Sequence, residues 1–199
     1  MTNVLREAQI ERNTKETQIK LTLNLDGTGK AAVDTGCGFL NHMLELMSAH
    51  GCFDLNVCCR GDVAVDYHHT TEDVAITLGE AFSKALLDKR GITRYGQQLL
   101  PMDEALVLVA VDISGRSYLG YQADIPAGKV GDFDTELAEE FMQALCRTAG
   151  FTLHIRKLAG HNAHHIIEAM FKGLGRSLRQ AVAVDAQNAW HIPSTKGVI

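Results

Sequence analysis

No apolar run approaches the roughly 20 residues needed to cross a bilayer; one of the longest, Ala105 to Val111, covers a third of that span. The N-terminus, MTNVLREAQIERNTKET, has no apolar stretch of the kind a secretory leader carries. Basic residues are in deficit, 19 against 24 acidic, for a net charge of −5. A protein whose main partner is the nucleic-acid backbone needs the opposite balance, to release counterions. Five cysteines form an odd set without a CxxC pair, which points to free thiols in a reducing cytoplasm rather than to disulfides or a zinc knuckle. No GxxxxGK[ST] loop and no GxGxxG turn is present, so a nucleoside triphosphate or dinucleotide is not indicated. Only three prolines occur, at 101, 126 and 193, and loops are expected there. With 46% hydrophobic and 22% charged residues in 199, the chain is an ordinary globular protein of one large domain or two small ones.

Histidine, in contrast, is abundant, with nine residues, and it is clustered. The string HHxxE occurs twice, as His68-His69-Thr70-Thr71-Glu72 and as His164-His165-Ile166-Ile167-Glu168, with every matching position 96 residues apart. The repetition extends beyond the motif. Phe39 to Met43 aligns with Leu137 to Phe141, and Phe53 to Val57 with Phe151 to Ile155, both at an offset of 98. Leu25-Asp26-Gly27-Thr28-Gly29-Lys30 resembles Val111 to Arg116 at an offset of 86, each read as a tight glycine hairpin. Gly79 and Gly175 correspond at 96. The chain is therefore read as a duplication, with half-domains at 1–92 and 93–199 joined near 91–104.

Alternation at Ile19–Leu25 and Val107–Ile113 predicts strands, and i, i+3, i+4 spacing of Phe39, Leu40, Met43, Leu44 and Met47 predicts a helix. A further strand at Leu55–Cys59, and a last helix starting near the histidine pair, complete the half. The second half repeats this order. The expected class is α+β, with two pseudo-symmetric half-domains, each a mostly antiparallel sheet backed by two helices.

At a helix start, HHxxE places a histidine and a glutamate on one face, while the two adjacent histidines diverge by about 100°. Imidazole nitrogens with a carboxylate oxygen suit Mn, Fe, Co, Ni or Zn. His42 is a further donor, and its repeat image is Glu140, which keeps the donor set while changing its chemistry. His50, His154, His161 and His191 have no comparable partners. Arg94, Arg116 and the Pro193-Ser194-Thr195-Lys196-Gly197 tail have the charge and geometry to hold a phosphate on a small substrate. The residues alone thus describe a duplicated dinuclear metal protein acting on a small phosphate ester. Two rival readings are another dinuclear metal-dependent hydrolase or lyase, and a non-catalytic metal-binding or shell-forming protein that binds Mn without turnover.

Gly38-Phe39-Leu40-Asn41-His42-Met43-Leu44, Asp66 to Asp73 and Gly160 to Phe171 resemble motifs of the imidazoleglycerol-phosphate dehydratases. So do Lys15-Glu16-Thr17, Pro101 to Leu106, Ser114-Gly115-Arg116 and the Pro193–Gly197 tail, and the likeness covers practically the whole chain in order. Some bacteria fuse this enzyme behind a phosphatase domain; 199 residues leave no room for one, so the monofunctional form is expected. The resemblance implies a cytoplasmic hydro-lyase of histidine biosynthesis. It would convert D-erythro-imidazole-glycerol phosphate to imidazole acetol phosphate through a dimanganese-bound imidazolate. It implies two Mn²⁺ per active site on His42, His68, His69, Glu72, Glu140, His164, His165 and Glu168, with Glu140 standing where many members have histidine. Substrate contacts would fall on Glu16, Arg94, Arg116, Ser194 and Lys196, the last four around the phosphate. Assembly would be a 24-subunit shell built from trimers, with neighbouring chains sharing the metal sites. Glu16 is the expected catalytic base, taking a carbon-bound proton once ring electrons have expelled the neighbouring hydroxyl.

Overall fold

The computed structural model describes residues 5–126 and 128–199. The first half runs β1 (Glu7–Asn13), β2 (Thr17–Asn24), β3 (Ala31–Asp34), α1 (Gly38–Gly51), β4 (Asp54–Gly61) and α2 (His68–Ala85). The second runs β5 (Tyr95–Met102), β6 (Ala105–Asp112), β7 (Tyr118–Gln122), a small ribbon β8 (Lys129–Val130) and β9 (Phe133–Asp134), then α3 (Leu137–Ala149), β10 (Thr152–Ala159) and α4 (Ala163–Val182). Apart from the ribbon the element order repeats, and so does the sheet order: β1-β2-β4-β3 and β5-β6-β10-β7. In each sheet one pair, β3 with β4 or β7 with β10, is parallel and the rest are antiparallel. The class is α+β with two similar halves, as the periodicity indicates.

Alternation drives the sheets. Ile19, Leu21 and Leu23 of β2 point inward and are buried, as are Val107, Val109 and Val111 of β6, while Lys20 and Thr22 face out. The helices then pack across the halves: α1 lies along α4 and α2 along α3, so the two sheets enclose a single continuous core. Glycine sets the spacing of both helix pairs. A Cβ on Gly175 of α4 would stand 3.0 Å from the Gly51 amide nitrogen of α1, and one on Gly79 of α2 would stand 2.9 Å from the Leu145 carbonyl oxygen of α3.

Several expectations are corrected. The Leu25–Lys30 and Val111–Arg116 segments do not make hairpins, because β2 is not adjacent to β3, nor β6 to β7; β4 and β10 insert between them. The first loop instead wraps Asp54, whose Oδ1 accepts from the Thr28 and Lys30 amides at 2.8 and 3.0 Å. The hairpins are β1–β2 and β5–β6. Strand register also moves the repeat offset here from 86 to 88, since Leu23 opposite Leu55 corresponds to Val111 opposite Leu153. Pro101 lies in β5 rather than in a loop, where an edge strand tolerates a missing N–H. The connection between halves is 86–94, shorter than the expected 91–104 joint, since residues 95–104 belong to β5 and its turn.

Candidate metal centres

Both histidine pairs open a helix. Asn162 caps α4, its side chain accepting from the His165 amide at 3.2 Å, and Asp66 Oδ1 accepts from the His68 amide at 2.7 Å at the start of α2. Because α1 lies along α4, His42 meets His164 and Glu168: one donor atom from each falls within 4.8 Å of the others. His164 Nε2 is 3.1 Å and His42 Nε2 3.7 Å from Glu168 Oε2. Because α2 lies along α3, His68, Glu72 and Glu140 form a second trio by the same measure. The trios are repeat images of each other. His42 corresponds to Glu140, His164 to His68 and Glu168 to Glu72. One set is N,N,O and the other N,O,O, and both suit a borderline or hard divalent ion such as Mn²⁺.

The HHxxE glutamate of each trio also has a basic neighbour. Glu168, almost fully buried, pairs with Lys172 one turn along α4; Glu72 pairs with Arg147 of α3 at 3.0 Å. Burial pushes the Glu168 carboxyl up, but hydrogen bonds from Lys172 and His164 outweigh it and leave it below the usual carboxylate range. A cleft of about 370 Å³ beside the second trio is lined by His68, Glu136, Glu139, Glu140 and their neighbours. A larger cavity, about 810 Å³ and lined in part by Arg6, Asp26 and Arg179, touches neither trio.

His69 and His165 stand outside both trios, as the divergence of adjacent helical side chains requires. His69 Nδ1 is 2.9 Å from Asp62 Oδ2, and His165 Nδ1 is 2.7 Å from Glu104 Oε2. These bonds raise both histidines above their ordinary pKa. Glu104 is pulled down to about 2, by His165 first and by the Asn162 and His161 amides after it. A carboxylate on Nδ1 fixes the ring and leaves Nε2 as the free donor. Sequence reading singled out neither Asp62 nor Glu104. Glu104 is the repeat image of Glu16 once the 88-residue strand offset is applied, and that was the available signal.

Glu16 sits in the β1–β2 turn, about half exposed, with Oε1 4.0 Å from His69 Nε2. Arg94 is largely buried. Its Nε and one terminal nitrogen donate to Asp112 at 2.7 and 3.2 Å, and the other donates to the Pro193 carbonyl at 2.8 Å. It therefore ties the tail that carries Ser194 to β6. Arg116 is exposed, 3.8 Å from Asp112, and Ser194 Oγ accepts from the Lys196 amide at 3.2 Å in a turn that leaves Lys196 in solvent. His161 and His191 are exposed, and His154 packs on Tyr118. His50 is lowered by burial and by Lys172 and Arg176.

Residues 35–178 match the family model described as imidazoleglycerol-phosphate dehydratase. The imidazoleglycerol-phosphate dehydratase of Azorhizobium caulinodans is 56% identical over 98% of this chain and 99% of its own; that of Moorella thermoacetica is 55% identical over 98% of each. Among solved structures, the Staphylococcus aureus imidazoleglycerol-phosphate dehydratase superposes with a TM-score of 0.83 at 41% identity, covering 90% of this chain and 99% of its own. The Pyrococcus furiosus protein, in complex with (S)-C348, gives 0.82 at 38% identity over 96% and 100%.

Proposed function

The chain belongs to the imidazoleglycerol-phosphate dehydratase family, a hydro-lyase of histidine biosynthesis, and on that premise we propose that its two trios hold a pair of Mn²⁺ ions for dehydration of D-erythro-imidazole-glycerol phosphate to imidazole acetol phosphate. What carries the reading is the pair of repeat-related trios, His42–His164–Glu168 and His68–Glu72–Glu140, each built by one helix from either half. Bound ions would supply Lewis-acid polarisation of the two nitrogens of the substrate ring. Glu16 takes the carbon-bound proton on its carboxylate, being half exposed, free of any cation within the hairpin and beside His69. Arg116, Ser194 and Lys196 hold the phosphate, and Arg94 acts by fixing the tail that presents Ser194 and Lys196.

Three donors do not fill the coordination sphere of a divalent ion, which takes about six ligands when the donors are hard. His69 and His165, oriented at Nδ1 through Asp62 and Glu104, are the donors that neighbouring copies would bring to those open positions in a 24-subunit shell built from trimers. Five free cysteines support a cytoplasmic location. No helix among the described residues is long and apolar enough to cross a membrane.

The test is a Mn²⁺ titration of chelator-treated protein, followed by both bound metal and conversion of the phosphorylated imidazole. Turnover should return as both classes of site fill, and Glu16→Gln should bind metal normally while losing on the order of 10²-fold or more in kcat. Full turnover without metal refutes the trios, and full turnover by Glu16→Gln refutes the base.

A further inference from the structure

Beneath the hairpin that carries Glu16 lies a polar cluster centred on buried Asp73 and Thr17, for which the duplicated half supplies an internal control. Asp73, one residue past Glu72 on α2, is 5% exposed. Its Oδ1 accepts from Arg12 Nε of β1 at 2.9 Å, with a terminal guanidinium nitrogen also 2.9 Å away, and its Oδ2 accepts from Thr17 Oγ1 of β2 at 2.5 Å and Thr14 Oγ1 at 3.4 Å. Thr14 Oγ1 in turn receives the amides of Glu16 and Thr17, at 3.1 and 2.9 Å. An unbroken chain of hydrogen bonds therefore links α2 to the Glu16 backbone.

In the second half the images of Arg12, Thr17 and Asp73 are Leu100, Ala105 and Ala169, all buried and all apolar. The same fold is thus built there with ordinary core. Exchanging a buried ion pair for packed apolar groups is often neutral or favourable, so stability by itself gives no reason for the polar version. What differs between the halves is the fate of the glutamate at the hairpin turn. Glu104 is spent on its own hairpin: His165 Nδ1 and the His161 and Asn162 amides all hold it against the start of α4. Glu16, its image, makes no such bonds: its carboxylate is half exposed, with His69 Nε2 4.0 Å away.

We propose that Asp73 is a positioning residue that holds the β1–β2 hairpin from below, so that Glu16 is placed without being consumed. This rests on the assignment of Glu16 as the base. The test converts the cluster to its image with the triple variant Arg12→Leu, Thr17→Ala, Asp73→Ala, alongside Asp73→Asn, which keeps the size and one acceptor oxygen should the triple variant fail to fold. Amides of residues 14–17 should exchange faster than in the unaltered protein while those of the β5–β6 turn do not change. Mn²⁺ binding should be retained, and kcat should fall about 10- to 100-fold with KM little altered, the loss expected from a catalytic group displaced by about 1 Å. In a Glu16→Gln background the same changes should cost nothing further in kcat. Hairpin exchange as slow as before in both variants overturns the proposal, and so does a kcat loss of equal size in the Glu16→Gln background. Full turnover by Glu16→Gln alone overturns the base assignment instead, and the exchange rates then judge the clamp by themselves.

Discussion

Gly175→Ala tests the link between helix spacing and metal binding. The added methyl would stand 3.0 Å from the Gly51 nitrogen and 3.1 Å from the Met47 carbonyl carbon, and closer still to the Met47 oxygen. All three are backbone atoms of α1 and cannot rotate away. Restoring ordinary contact requires α1 and α4 to part by on the order of 1 Å. Overpacking of this kind destabilises by about 1–3 kcal/mol. The better helix propensity of alanine returns about 1 kcal/mol, leaving a net loss of at most about 2 kcal/mol. For a chain of this length that lowers Tm by at most about 8 °C. His42 rides on α1 while His164 and Glu168 ride on α4, so the same movement opens one trio. Metal–ligand distances tolerate only about ±0.2 Å, and a drop of about 10- to 100-fold in affinity at that trio is expected, with the His68 trio unaffected. Calorimetric Mn²⁺ titration of the chelated variant, with Gly79→Ala as the mirror-image case, reads this directly. Unchanged Mn²⁺ affinity at the His42 trio in Gly175→Ala, or equal weakening of both trios, refutes the reasoning.

Glu140→Ala should remove one class of Mn²⁺ site and spare the other, as counted by metal analysis of dialysed protein; retention of both classes takes Glu140 out of the site. Lys196→Ala should raise KM for the phosphorylated substrate by about 10- to 100-fold, the worth of one charge-assisted hydrogen bond, with kcat kept. In metal-free protein the His165–Glu104 pair makes stability depend on pH in two directions. His165 is raised in the fold, so its contribution is complete below its unfolded value of about 6.5 and is lost as pH rises through the folded value. Glu104 is lowered to about 2, so its contribution is complete above the unfolded value of about 4.3 and is lost as pH falls towards 2. Urea midpoints across pH should therefore show Glu104→Gln losing most between these limits, and a uniform loss at every pH would contradict the pairing.

The duplication, the order of elements and the six trio residues as candidate donors, together with His69 and His165, were legible in the sequence, but not which three donors would meet. Periodicity of two or 3.6 fixes which side of an element each residue occupies, and a repeat of HHxxE at 96 residues carries its own alignment. Even Glu140, whose chemistry departs from its image His42, could be nominated because the offset of 98 named the position. The same arithmetic failed at Leu25–Lys30, where strand register, set by pairing with β4, moved the offset to 88.

Periodicity says which way a side chain faces and nothing about which distant segment it meets. That α1 lies along α4 and α2 along α3 follows from glycine-spaced packing between the halves, and only this turns two local motifs into two three-donor clusters. The carboxylates that orient His69 and His165 come from a strand end and a hairpin turn, at sequence distances of 7 and 61 that no helical or strand repeat prescribes. Arg94 is bound to Asp112 and the tail, and Asp73 to Arg12 and Thr17, for the same reason. Sequence determined the donors and their faces. Tertiary packing decided their partners, because hydrogen bonds and metal contacts depend on separations of a few ångströms that are set only when the two halves close on one core.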